Sequence, residues 1–276
     1  FNKGFNDGSY IMFKGNLSAS ENRMVYYDES DNIPFNLKAE GKPVDIARRM
    51  GSYTPATGIV TDGYYQNFDD LFLYPTVGGG SPIVGDFKFL DYNGDGTVDT
   101  QDRVVAEDPS IPNVTWNGTL GGGYKNFSLE LNFYGIGRVQ TPMRQGGLFY
   151  LYPFTENKDN AYTAHANHWT PTNTNAEFPA VHAQASQQYN YQISDFSMVQ
   201  GQYIRLRSAN LRYTIQSEGI KKATGISSLE LGLIGTNLWT WRKRKWGGDP
   251  EGSNFGVDFG AYPQMKRYTL ELRARF

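Results

Sequence analysis

Apolar and polar residues alternate with a period of two along much of this chain, and helical spacing is scarce. In residues 9–20, Ile11, Phe13, Gly15, Leu17 and Ala19 share one face, and Lys14, Asn16, Ser18 and Ser20 share the other. Further on, Val114, Trp116, Leu120 and Tyr124 oppose Thr115, Asn117 and Thr119. The dipeptide Lys125-Asn126 interrupts. Phe127, Leu129, Leu131 and Phe133 then alternate with Ser128, Glu130, Asn132 and Tyr134. Two alternating runs joined by a tight polar dipeptide predict a β-hairpin. Within 202–216, Leu211, Tyr213 and Ile215 alternate with Asn210, Arg212 and Thr214, but Ile204 and Leu206 sit on the opposite parity, so the phase breaks before Ser208. Residues 227–240 set Leu229, Leu231 and Leu233 against Glu230 and Gly232.

The last run is the most informative. Tyr268, Leu270, Leu272, Ala274 and Phe276 alternate with Arg267, Thr269, Glu271, Arg273 and Arg275. Arginines pointing into a dry protein interior would be expensive. In a membrane barrel they face a watery lumen while the apolar side meets lipid. A strand ending in Phe, apolar at every second place, also resembles the assembly signal of outer-membrane proteins. Short links (125–126 and 217–226) alternate with long ones (21–113, 135–201 and 241–266), as periplasmic turns alternate with extracellular loops. Six strands are clear, and further pairs can lie within the long loops. Six cannot close a membrane barrel, whose minimum is about 8 strands and whose large transporters have about 22. The expectation is therefore a fragment, consistent with a start at Phe1 that carries neither an initiator Met nor a signal-peptide pattern.

Composition changes this picture little. The chain has 276 residues and a formal net charge of −2, which points to no nucleic-acid partner. Cysteine is absent, so no disulfide, thiolate metal site or cysteine nucleophile is possible. Thirty-one glycines and 15% aromatics suit tight turns and interface belts. The mean hydropathy is −0.55 and no stretch approaches about 18 consecutive apolar residues, which excludes a transmembrane helix but not a barrel, whose strands are apolar on one side only.

Several segments resemble the C-terminal part of SusC-like (SusC/RagA family) TonB-dependent outer-membrane transporters of Bacteroidetes. They are Asp62-Gly63-Tyr64-Tyr65-Gln66-Asn67, then Gly85-Asp86-Phe87-Lys88-Phe89-Leu90-Asp91-Tyr92-Asn93-Gly94-Asp95-Gly96, then His168-Trp169-Thr170-Pro171 with Thr174-Asn175-Ala176 and Phe178-Pro179. Tyr203-Ile204-Arg205-Leu206-Arg207, Thr236-Asn237-Leu238-Trp239-Thr240, Asp249-Pro250-Glu251 and Tyr262-Pro263 follow in family order and spacing. The resemblance implies an all-β transmembrane antiparallel β-barrel with long extracellular loops, of which residues 1–276 are a C-terminal portion. It implies an N-terminal plug and barrel remainder, a SusD-like surface lipoprotein as lid, energy from TonB, and nutrient import. Plug, TonB-contacting segment and first strands are not in this sequence.

The best candidate for chemistry lies within the 21–113 loop, at 91–102. Asp91, Asn93, Asp95, Gly96, Thr97, Asp99 and Asp102 match places 1, 3, 5, 6, 7, 9 and 12 of an EF-hand loop. Alternate residues supply hard oxygens, Gly96 permits the sharp turn, and the Thr97 carbonyl is the expected backbone ligand. Asp102 replaces the usual, longer Glu. Ca²⁺ in a structural role is the expectation; an acidic turn held by Asx hydrogen bonds is the alternative.

Other features point to no chemistry. The basic run 241–246 between Trp241 and Trp246 reads as a strand end at a membrane interface rather than a nucleic-acid or lipopolysaccharide site. His165, His168 and His182 form no HExxH pattern, and neither Gly78-Gly79-Gly80 nor Gly121-Gly122-Gly123 is a P-loop. The aromatic stretch Phe149-Tyr150-Leu151-Tyr152 suits either cargo stacking or loop packing. No catalytic trio or carboxylate pair stands out, so the expectation is a transporter and not an enzyme, set in outer-membrane lipid. A passive outer-membrane porin or adhesin, and a soluble calcium-stabilised β-sandwich binding carbohydrate, are the rivals.

Overall fold

Each of the six alternating runs is a β-strand in the computed structural model of the chain, which describes residues 1–44, 57–78, 80–105, 108–109, 111–142, 161–181, 189–243, 248–252, 262 and 264–276. The strands are β2 (Tyr10–Ala19), β3 (Val114–Tyr124), β4 (Phe127–Gly137), β5 (Tyr203–Ile215), β6 (Ser228–Arg242) and β7 (Arg267–Arg275). A short β1 (Asn2–Gly4), which the alternation did not predict, adds to the edge of β2. All seven form one antiparallel sheet in which each strand pairs with the next in sequence. Among the described residues the sheet is not closed: β1 and β7 each pair on one side only.

The predicted hairpin is present. Lys125 takes the left-handed conformation (φ 52°) that a two-residue turn demands, and Tyr124 pairs with Phe127 across it. The other short link, 217–226, is more than a turn. It holds the helix α1 (Glu218–Thr224), ended by Gly225 at φ 77° with its N–H on the Lys221 carbonyl.

The broken phase in β5 has a structural cause. Leu206 stands opposite Phe133 and Ser208 opposite Asn132, so Arg207 has no counterpart on β4 and forms a bulge. One extra residue reverses which parity faces which side. Ile204 and Leu206 therefore share a face with Leu211 and Tyr213 after all.

The long links carry their own order. Thr57–Gly58 pairs with Val104–Val105, Thr61–Tyr64 with Phe87–Phe89, and Gln140–Pro142 with Met198–Gln200. Two loops far apart in sequence share one apolar core of Ile59, Tyr65, Phe87, Phe89, Val98, Phe178, Tyr189 and Val199. Each such side chain contributes about 1.5–3 kcal/mol on burial. The main buried core thus sits in the loops; only Ile136, Val139 and Tyr203 form a smaller cluster at the loop end of the sheet. No helix among the described residues is long and apolar enough to cross a membrane.

Candidate functional site

The register sorts the sheet into two faces. On one, Leu17 pairs with Trp116, Phe13 with Leu120, Leu120 with Leu131, Leu129 with Leu211, Leu211 with Leu233 and Leu233 with Leu270. This row crosses β2 to β7 without a charged residue, and much of it is exposed: Leu17 by 73% and Leu270 by 80%. Trp116, Trp239 and Trp241 lie toward the long-loop end of this face, and Tyr124, Phe127 and Tyr213 at the short-link end.

The opposite face is polar. Lys14 pairs with Thr119, Asn117 with Tyr134, Glu130 with Asn210 and Glu230 with Arg273. Near the short-link end Arg212, Glu230, Glu271 and Arg273 form an alternating set, with the shortest pair, Arg273–Glu271, at 2.8 Å and Arg212 3.8 Å from Glu230. At the loop end Arg205 is almost fully buried. It donates to Asp249 at 2.6 Å, to Glu251 at 3.0 Å and to the Thr240 hydroxyl at 2.9 Å. Glu251 also takes the Tyr203 hydroxyl (3.1 Å) and Arg207 (3.3 Å). Two of the resemblance segments, 203–207 and 249–251, thus meet in one charge-compensated network. Sequence reasoning missed it; the available signal was an arginine inside an otherwise apolar and aromatic strand start.

Three other resemblance segments converge in the loop core. Tyr64 stacks on Phe87 (5.2 Å), Lys88 pairs with Asp62 (3.0 Å), and the Trp169 indole donates to Gln66 (3.3 Å). Gly85, at φ 94°, lies beneath Trp169, where a Cβ would come within 2.5 Å of the indole. Buried Asp86 accepts from Asn190 at 2.7 Å, tying the two loops. Burial, aided by the nearby Glu177 charge, pushes the Tyr64 phenol up to about 12. For Lys88 desolvation lowers the pKa, but the hydrogen bond and charge of Asp62 outweigh it and the net shift is upward.

The EF-hand-like loop is a tightly hydrogen-bonded turn. Asp91 accepts from the N–H groups of Gly94 (2.7 Å), Asp95 (3.2 Å) and Gly96 (2.8 Å), and Gly94 and Gly96 take positive φ. Asn93 accepts from the Asp95 N–H, Asp95 from the Thr97 N–H and Asp99 from the Gln101 N–H. Asp102 is fully buried and accepts from Tyr92, Asn93 and Asp99. Val98 leaves the turn to enter the loop core. A carboxylate has about four acceptor sites, so Asp91, Asp95, Asp99 and Asp102 each keep at least one. Spare acceptors for a hard cation therefore remain, but no group of three or more acidic or histidine side chains among the described residues converges as a metal cluster.

His165 Nδ1 accepts from the Tyr162 N–H, and His168 Nδ1 lies 2.7 Å from the His165 carbonyl, so it must donate. Both act as local structural hydrogen bonders. His182, the 149–152 aromatic stretch and residues 244–246 of the basic run lie outside the described residues.

The chain matches no protein-family model. It is 28% identical over 279 residues to TonB-dependent receptor P3 of Formosa agariphila, covering 95% of this chain and 26% of the receptor. To TonB-dependent receptor P26 of the same organism it is 29% identical over 210 residues, 70% of this chain and 20% of the receptor. The RagAB peptide importer in its open-open state superposes with a TM-score of 0.65 at 15% identity, over 100% of this chain and 27% of that one. The closed-closed state gives 0.66 at 16% identity, over 99% and 28%. The resemblance to a stretch of a SusC-like TonB-dependent receptor stands, and these relatives are receptors and importers rather than enzymes. The chain spans about a quarter of the length of receptor P3, and less of P26.

Proposed function

We propose that this chain forms barrel wall and extracellular loops of a TonB-dependent outer-membrane importer, with a nutrient oligosaccharide or oligopeptide as cargo and a SusD-like lipoprotein as lid. One observation carries the reading: in a seven-stranded antiparallel meander, strands β2 to β7 expose one uncharged apolar face and set charges on the other. Strands β2 to β7, of 9–15 residues, suit a tilted crossing of a bilayer, which needs about 9–11. In that frame the apolar face meets lipid, the polar face lines the lumen beside the plug, and the loop core stands above the membrane. Lumen charges need no dry burial, so the Arg212 set is affordable there and would be costly in a sandwich. A sandwich would also require a second sheet on the apolar face, and none packs there among the described residues.

The test is uptake in the native source with and without TonB, paired with fractionation and recovery of co-purifying chains. Outer-membrane recovery with a plug-bearing polypeptide and a surface lipoprotein, and uptake lost without TonB, is the expected outcome. TonB-independent passage would leave a porin, and recovery without detergent would leave the sandwich.

The same reading includes structural Ca²⁺ at 91–102, held by Asp91, Asn93, Asp95, Asp99, Asp102 and the Thr97 carbonyl. The support is the spacing, the positive φ of Gly94 and Gly96, and the spare acceptor sites. An ion there would stiffen the loop whose Val98 plugs the loop core. Chelator added to the detergent-purified full-length protein is expected to speed proteolysis of the loops, and Asp91→Asn to do so without chelator. Identical cleavage with Ca²⁺ and with chelator would leave the turn as a hydrogen-bonded cap alone.

A further inference from the structure

We infer that the apolar face carries a seat for one glycerophospholipid, its acyl chain over Gly122 and its phosphate beside Lys125; the inference rests on the membrane reading above. A groove of about 410 Å³ opens there between Leu120, Tyr124, Phe127, Leu129, Leu131 and Leu211. Its surroundings are settled in a way those of the loops and lumen are not. β3 lies inside the sheet, flanked by β2 on one side and by β4 and β5 on the other, so no further strand can cover the groove edge-on. Whatever meets it does so from outside the barrel wall.

The glycine triplet shows why the groove exists. Gly121 and Gly123 point to the polar face; at Gly123 a Cβ would run into the Tyr10 ring, so packing requires glycine, whereas at Gly121 it would meet only the movable end of Met12. Gly122 points to the apolar face, and a Cβ there would meet only the Tyr10 carbonyl, at 3.3 Å. That contact is tight and is made by backbone of the paired strand, so a side chain enters only if the Tyr10 carbonyl gives way slightly. Glycine inside a strand costs stability relative to alanine, and here it spares the close Tyr10 carbonyl while leaving the apolar face open. What Gly122 does provide is depth between neighbouring leucines and aromatics, the shape that a saturated chain fills.

The end of the groove supplies the complementary charge. Tyr124 leads into the hairpin turn, where Lys125 is exposed with its ammonium 5.2 Å from the Tyr124 ring. Lys221 and Lys222 are exposed on the next short link at the same end. Cations at this height meet lipid phosphates. Short links face the periplasm, so the seat belongs to the inner-leaflet phospholipid and not to lipopolysaccharide.

The full-length protein, purified from outer membranes in mild detergent and incubated with phosphatidylglycerol in mixed micelles, is to be weighed by native mass spectrometry. One retained phospholipid per barrel is expected. Gly122→Leu fills the groove and is expected to cut retention about tenfold, whereas Gly118→Leu, on the same face and with only an ordinary contact to Trp116 at its Cβ, leaves it unchanged. Lys125→Asn keeps the left-handed turn and is expected to weaken retention about fivefold. Equal retention in the parent and Gly122→Leu, or equal loss in both glycine variants, overturns the seat. Should Gly122→Leu not fold, unchanged retention in Lys125→Asn overturns it. A folded outer-membrane barrel without retained lipid removes this inference alone; a protein soluble without detergent removes the importer reading itself.

Discussion

Arg205 illustrates how single residues are set by their partners. Its side chain is 1% exposed and is matched by Asp249 and Glu251, with Thr240 taking a further donor. Asp249 is itself pinned, accepting from the Glu251 and Gln264 N–H groups. Removing one member of a buried ion network leaves the others uncompensated and costs about 3–5 kcal/mol. Arg205→Ala is thus expected to lower the melting temperature of the detergent-solubilised barrel, read from its heat-modifiable migration. Arg205→Lys recovers only part, because an ammonium cannot reach two carboxylates and a hydroxyl in one plane. An alanine variant melting with the parent would show the network to be incidental. The Tyr64 phenol follows similar logic: its raised pKa leaves stability intact below about 10, the value expected of an unfolded tyrosine, and withdraws it as the pH climbs toward 12.

Among elements, β5 is where pattern and structure diverge most usefully. The parity break before Ser208 looked like a fault in the alternation, and the bulge at Arg207 turns it into a continuous apolar face. Deleting Arg207 would swing Tyr203 and Arg205 to the apolar side and tear Arg205 from Asp249 and Glu251. An arginine on the lipid side costs up to about 2–4 kcal/mol, depending on depth. The deletion is expected to abolish the folded, heat-modifiable band in outer membranes, while Arg207→Ala, which keeps the count, assembles. Normal assembly of the deletion would mean the bulge is not what sets the register. α1 makes the opposite point: the ten-residue link 217–226 winds into a helix that Gly225 ends with a left-handed stop.

At the scale of the molecule the distribution of burial is inverted relative to a soluble β-protein. The sheet keeps its apolar face outward, and the buried aromatic core belongs to the loops. Because one core is shared by 57–105 and 161–200, the two loops stand as a unit rather than as independent flaps: Asp86–Asn190 and the Tyr65–Tyr189 hydroxyl contact at 3.1 Å cross between them. A lid or cargo meeting one loop would therefore push on both. Under the importer proposed above, this arrangement would hold the extracellular side in shape above the barrel.

The alternation determined the six strands, their faces outside the start of β5, the hairpin at Lys125-Asn126 and the all-β character, because strand periodicity is local and is written residue by residue. The turn at 91–102 was legible for the same reason: Asx bonds span a few residues. The tertiary structure alone decided which segments meet. Nothing near Arg205 in sequence names Asp249 or Glu251, nothing near Asp86 names Asn190, and β1 is too short to show a period. Such contacts depend on closing loops of 44 to 104 residues, whose entropic cost is repaid only when the whole core forms.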